Sequence, residues 1–125
     1  MHYGNCLLAV SFVAVLAGSG CSREKPAGFV ADVQPILNKY CIECHAPGTE
    51  GAMESGFLVG SYEVVMKGTK YGPVVVPGSA DSSSLYRLLA GEVDPSIQMP
   101  HGKQALTAAE IDTIRRWIDQ GARGG

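Results

Sequence analysis

Aromatic side chains are scarce in this chain: Phe, Trp and Tyr together make up 7% of its 125 residues. A domain this short buries only a modest fraction of its surface, so a second source of core is expected, whether disulfides, a metal or a large cofactor. Charge of either sign is also thin. Ten Lys and Arg stand against twelve Asp and Glu, the formal charge is −2, and no run of like charge exceeds the pair Arg115–Arg116. Nucleic-acid binding needs a basic stripe, so that class is excluded. A run long enough to span a bilayer is missing too. The uncharged stretch from Cys6 to Gly18 has thirteen residues, about 20 Å as a helix against a hydrocarbon core of ~30 Å. Internal repeats and low-complexity tracts are lacking, and the length allows one domain.

The apolar stretch reads as the central region of an export signal, because polar residues follow it at once. Gly18-Ser19-Gly20-Cys21 places small residues before a cysteine, a pattern similar to a bacterial lipobox, in which that cysteine becomes the lipidated first residue. Gly18 stands where a lipobox usually carries Leu, so plain secretion and an uncleaved anchor stay open. All three readings put the domain outside the cytoplasm. The leading one has residues 1–20 as signal peptide and residues 21–27 as a lipidated Cys21 with a polar tether. A lipid on Cys21 would hold the protein to a bacterial membrane on its periplasmic side. Of four cysteines, Cys6 leaves with the signal and Cys21 is capped, which leaves the pair Cys41 and Cys44.

Apolar residues at Phe29, Val33, Ile36, Leu37 and Tyr40 follow the period of a helix with one buried face. Pro35 fits if Asp32 caps that helix, since first-turn N–H groups have no intrahelical partner. Residues 46–60 are rich in Gly and small polar side chains and read as a loop. Ser61 to Met66 forms a short helix ended by Gly68, and Tyr71 to Gly78 is extended and closed by a Pro-Gly turn. Asp81 to Ala90 reads as another helix, with Leu85, Leu88 and Leu89 on one face. The last helix is the best signalled. Thr107-Ala108-Ala109-Glu110 is a capping box with Leu106 and Ile111 placed as its hydrophobic staple. Ile111, Ile114, Trp117 and Ile118 make the buried stripe, and Gly121 ends it. The expected class is all-α with long loops.

Cys41-Ile42-Glu43-Cys44-His45 is the C-x-x-C-H pattern of c-type haem attachment. Two thiols three positions apart on a helical turn face one side and can add to the two vinyl groups of one porphyrin. The next residue, His45, can then bring its imidazole to the iron. A zinc site would need a second ligand pair, which is absent downstream. A thioredoxin-like dithiol would follow a strand, and here a helix precedes. A sixth iron ligand must come from further along the chain. Met53 is eight residues past His45, too near to reach the opposite haem face, and Met66 lies on an apolar helix face as packing. Met99 comes 54 residues after His45, in a loop before the last helix, with His101 two positions on. Met99 is the preferred ligand; His101 and an open site are the alternatives. Trp117 reads as core where the first and last helices cross, while Arg87, Lys70 and Tyr71 read as solvated side chains. The second ring nitrogen of His45 needs a backbone carbonyl, expected from the loop 46–60.

These pieces together resemble the small class I cytochrome c domains called planctomycete-type cytochrome c. The matching stretches are Phe29 with Asp32-Val33-Gln34-Pro35-Ile36-Leu37, Cys41 to His45, Ser55-Gly56-Phe57-Leu58, Gly72-Pro73-Val74-Val75-Val76-Pro77-Gly78, Ser84-Leu85, Met99-Pro100-His101-Gly102, and Trp117-Ile118 with Gly121-Ala122. The resemblance implies a cytochrome c domain over residues 28–123, with helices wrapped around one covalent haem c. It implies Cys41 and Cys44 as attachment points, His45 as proximal ligand and Met99 as distal ligand. An electron carrier, rather than an enzyme, is the expected function, working between exported or membrane-bound redox proteins whose identity the family does not fix. A haem subunit docking a larger dehydrogenase, and a ligand-binding sensor or peroxidase-like protein, are the alternatives.

Overall fold

The computed structural model describes residues 25–125. The stretch expected to be a signal peptide, Cys6 and Cys21 lie outside the described residues. Among those described, the chain is helical and carries no strand; its one β-type pairing is an isolated bridge between Thr69 and Gly72. No described helix is long and apolar enough to cross a membrane.

The first helix begins earlier than the capping expectation placed it. A wide π-type turn covers Phe29–Val33 and runs into α1, Gln34–Tyr40. The Asp32 carboxylate does cap, but it reaches back to accept from the Gly28 N–H at 2.8 Å, inside the first turn rather than ahead of it. Pro35 explains the widened turn. Its ring crowds the carbonyl four residues earlier and it has no N–H to offer, so a looser turn before it costs no hydrogen bond. The next element, α2, is Ile42–His45, joined to α1 through Cys41.

A second departure is α3, Glu50–Ser55, which lies in the stretch read as loop. Its six residues are too few to show a period, but its ends are marked. Gly56 sits at φ +75° as the left-handed C-cap, a conformation that glycine adopts without steric cost. Helix α4, Tyr62–Lys67, follows from Ser61 and stops at Gly68 as expected. The 71–78 stretch is extended without a ladder, and its Pro-Gly turn closes with Ser79 N–H on the Val76 carbonyl at 3.0 Å.

Helix α5 is Ser84–Ala90, starting later than Asp81. The difference lies in Ser83, whose buried hydroxyl donates to the Ser79 carbonyl (2.8 Å) and accepts from the Val76 N–H (2.8 Å). It spends its side chain on the preceding loop. After a 3₁₀ turn at Pro95–Ile97, the chain ends in α6, Ala108–Asp119. Both arms of its capping box form, Glu110 N–H to Thr107 Oγ1 at 3.2 Å and Thr107 N–H to Glu110 Oε2 at 2.8 Å.

One core joins these pieces. Phe29, Val33 and Leu37 meet Ile114, Trp117 and Ile118, all fully buried, and each such apolar side chain contributes about 1.5–3 kcal/mol. The Phe29 ring centroid lies 5.5 Å from that of Trp117 and 5.5 Å from that of Tyr62, the latter edge-on. The start of the first helix thus crosses the end of α6. Ala27 N–H donates to Gln120 Oε1 at 2.8 Å, which binds the beginning of the domain to the end of α6. Tyr40, Cys41, Ile42, Met66, Met99 and Ile111 form a half-buried margin to the core.

Candidate functional site

The C-x-x-C-H residues occupy a single helical turn. The Cys41 carbonyl accepts from the Cys44 N–H at 3.1 Å and from the His45 N–H at 2.9 Å. Cys41 is half-buried and Cys44 exposed, and both are free thiols. Burial pushes the Cys41 thiol up to about 11, with Cys44 nearby adding to it. A thiol so placed stays protonated and uncharged at neutral pH, suited to packing against an apolar group.

His45 is held by a backbone partner. Its Nδ1 lies 3.2 Å from the Phe57 carbonyl. A carbonyl oxygen only accepts, so Nδ1 must carry the proton and Nε2 keeps its lone pair free for a metal. The Phe57 ring stands edge-on to the imidazole, centroids 5.4 Å apart. Val59 N–H also bonds the His45 carbonyl at 3.3 Å, so residues 57–59 run alongside the histidine.

Local sequence brings Phe57 there. The Thr49 hydroxyl sits between the carbonyls of Cys44 and Ala46, 2.8 Å from the latter, which folds α3 back onto α2. At Gly51 the approach is backbone to backbone, since an added Cβ would stand 2.6 Å from the Cys44 carbonyl oxygen. The Ser55 hydroxyl donates to Gly51 O at 2.6 Å and accepts from Phe57 N–H at 3.0 Å. Gly56 then reverses the chain, with space for no Cβ because Lys70 N would lie 2.9 Å away. Ser55-Gly56-Phe57 is therefore a turn that delivers a carbonyl to His45. The expected carbonyl from the 46–60 stretch is that of Phe57, and the Gly56 cap was the signal available for it.

Met99 stands on a different segment. It is half-buried at the margin of the same core that Cys41 and Ile42 join, and its N–H donates to the Leu88 carbonyl at 3.2 Å. It lines a depression of about 250 Å³ with Gln98, Pro100, His101, Gly102 and Lys103. Residues of α2 do not line that depression, so the structure groups Cys41, Cys44 and His45, and separately Met99 with His101. Met66 is half-buried against the core and Met53 is 68% exposed.

Trp117 is fully buried, and its indole N–H donates to the Arg123 carbonyl at 2.9 Å. It is core, with its one donor satisfied within the chain. Arg87 leans on the Glu92 carbonyl at 3.4 Å, and Lys70 lies 5.2 Å from the ring centroid of the exposed Tyr71. Among the described residues no three of His, Cys, Asp and Glu gather where they could hold a bare metal ion. The donor set is instead two thiols on one turn beside a histidine with Nε2 free, backed by half-buried apolar side chains. That chemistry fits an iron porphyrin bound through its periphery and one axial ligand.

Two contacts near the site were not foreseen in the sequence: Glu43 pairs with Lys103, and Glu110 accepts from Lys39 and Tyr40. Searches among curated proteins and among solved structures find no match. Residues 41–101, from Cys41 to just past Met99, match the family model described as planctomycete cytochrome C.

Proposed function

We propose that this protein carries single electrons between exported redox partners, holding one covalent haem c through Cys41 and Cys44, with His45 as proximal and Met99 as distal ligand. The observation that carries the reading is the Phe57 carbonyl on His45 Nδ1, which commits one ring nitrogen and leaves the other to bind iron. When bound, the haem supplies a one-electron Fe(II)/Fe(III) couple, and Met/His ligation raises its potential.

The chain's own residues do the rest. Cys41 and Cys44 form thioethers that prevent loss of the group outside the cell. The Phe57 carbonyl fixes the imidazole tautomer and ring orientation. Met99 would offer the iron a soft neutral sulfur, which would favour the ferrous state and keep other ligands out. His101 and Lys103 are the titratable side chains that line the same depression as Met99.

Residues 1–20 are proposed as an export signal and Cys21 as a lipidated first residue, with 21–27 as tether and 28–123 as the domain. The bond from Ala27 to Gln120 supports a boundary there. Mass spectrometry of the native N-terminus tests it; an unmodified Cys21 would reject the anchor.

The ligation test uses the holoprotein with and without carbon monoxide. The native ferrous spectrum should not change on adding the gas. Met99→Ala should lower the potential, remove the sulfur-to-iron band of the ferric form and admit carbon monoxide, more completely when combined with His101→Ala. If Met99→Ala still excludes the gas while His101→Ala admits it, His101 is the ligand and the assignment of Met99 falls.

A further inference from the structure

The attachment segment and the segment that follows Met99 meet at two polar points far apart in sequence. Glu43, inside the C-x-x-C-H turn, pairs with Lys103. Glu110 receives the Lys39 ammonium at 3.0 Å and the Tyr40 hydroxyl at 2.8 Å, both from the last turn of α1 immediately before Cys41. The same carboxylate closes the α6 capping box, accepting from the Thr107 N–H at 2.8 Å and the Thr107 hydroxyl at 2.9 Å. Residues 103–110 are thus fastened at both ends to residues 39–43. Beyond Met99, whose N–H is bonded to the Leu88 carbonyl, a turn at residues 101–102 leads to Lys103, whose side chain reaches Glu43.

We propose that these contacts form a two-point clasp that controls how readily Met99 leaves the iron, with Lys103 and Glu110 as positioning residues. The proposal rests on the reading of Met99 as distal ligand. Its two points differ in kind. Glu43 is 79% exposed and Lys103 38% exposed, so that pair weakens as salt screens it. Glu110 is 20% exposed and one of its incoming donors is a neutral hydroxyl, so that point holds in salt. The donors gathered on Glu110, Thr107 N–H first and Lys39 next, keep its carboxyl down at about 2 and therefore ionised at any ordinary pH. The outer point loosens first and the inner one sets the limit.

Binding of imidazole to the ferric holoprotein reads this directly, because Met99 must leave before imidazole enters. Stopped-flow rates would be compared for the native protein, Met99→Ala, Lys103→Gln, Tyr40→Phe and Glu110→Gln. Lys103→Gln should speed binding about threefold, the scale of an exposed pair, and Glu110→Gln about tenfold, the scale of a charged hydrogen-bonded group. Tyr40→Phe should act in the same direction as Glu110→Gln and less strongly, without removing any charge. High salt should bring the native rate up to that of Lys103→Gln and leave Lys103→Gln unchanged. Exchanging the charges, Glu43→Lys with Lys103→Glu, should restore the native rate. If Met99→Ala is fast while every clasp variant binds at the native rate, the clasp is overturned and the ligand assignment stands. If Met99→Ala itself binds at the native rate, the ligand assignment fails and takes the clasp with it.

Discussion

The two segments offered for the iron are built on opposite plans. Around His45, residues 41–60 fold on their neighbours: two short helices, a threonine between two carbonyls, a serine bridging a turn, and a glycine reversing the chain. Around Met99, residues 91–106 hold one 3₁₀ turn, capped by Asp94 Oδ1 on the Ser96 N–H at 2.9 Å, and are largely exposed. The His45 side chain is held by a backbone carbonyl twelve residues on. The segment that follows Met99 is tied by side chains to residues sixty or more away. A group placed by local backbone is insensitive to salt and to surface substitution, whereas one placed by distant side chains responds to both.

The sharpest way to break this comparison is to remove the proximal anchor. Cys41→Ala with Cys44→Ala should abolish covalent haem altogether, read as loss of haem staining on a denaturing gel. Staining that persists in the double variant would show attachment elsewhere. A milder pair sets the same change in each segment. Gly51→Ala forces a Cβ within 2.6 Å of the Cys44 carbonyl oxygen, backbone against backbone, and should destabilise by about 1–3 kcal/mol. Gly102→Ala meets open space, though at φ +65°, and should cost roughly 1 kcal/mol for the left-handed conformation alone. Denaturant unfolding of the two holoproteins checks the order; a larger loss at Gly102 would invert the contrast.

The smallest effect concerns acid. The Glu110 carboxyl is held at about 2, mainly by the Thr107 N–H and then by Lys39, against an ordinary value near 4.5. A carboxylate depressed on folding stabilises the protein above its unfolded value, and that contribution fades as pH falls from about 4.5 towards 2. Glu63 and Asp94 are lowered as well, by Ser61 and by Ser96, and contribute in the acid range. Glu110→Gln should therefore flatten, without abolishing, the loss of thermal stability below pH 4.5. An unchanged slope would mean that Glu110 gains nothing from its donors.

Much of the fold was legible because it is written in local chemistry. The capping box at Thr107 and the stops at Gly68 and Gly121 are side-chain events within a few residues, and each left its residue types in place. The stretch 46–60 hid a helix because Glu50–Ser55 is too short to display a period and Gly51 lowers its propensity. That glycine is present for the approach to Cys44, a tertiary reason invisible along the chain. In the first helix Pro35 is plain in the sequence, but the widened turn it favours covers Phe29–Val33 and so takes in Asp32 instead of starting after it. The C-x-x-C-H residues were evident from spacing alone. Phe57 was not, since a carbonyl belongs to every residue and only the Gly56 reversal selects this one. Glu43–Lys103 and Glu110–Tyr40 join residues sixty and seventy apart, and no periodicity announces such pairs.

The bond between His45 and Phe57 has a bearing on how such a protein can be tuned. Its acceptor is main chain, so no side-chain replacement at position 57 deletes it; a change there alters only the ring edge against the imidazole. The electron-donating strength of the histidine is in that sense set by the Ser55-Gly56-Phe57 turn that places the carbonyl, and not by which side chain stands at position 57. Graded variation in driving force would then come more readily from the segment around Met99, where the proposed restraint is carried by charged side chains, than from the turn beside His45. One half of the centre would be heritable as shape, and the other open to selection residue by residue.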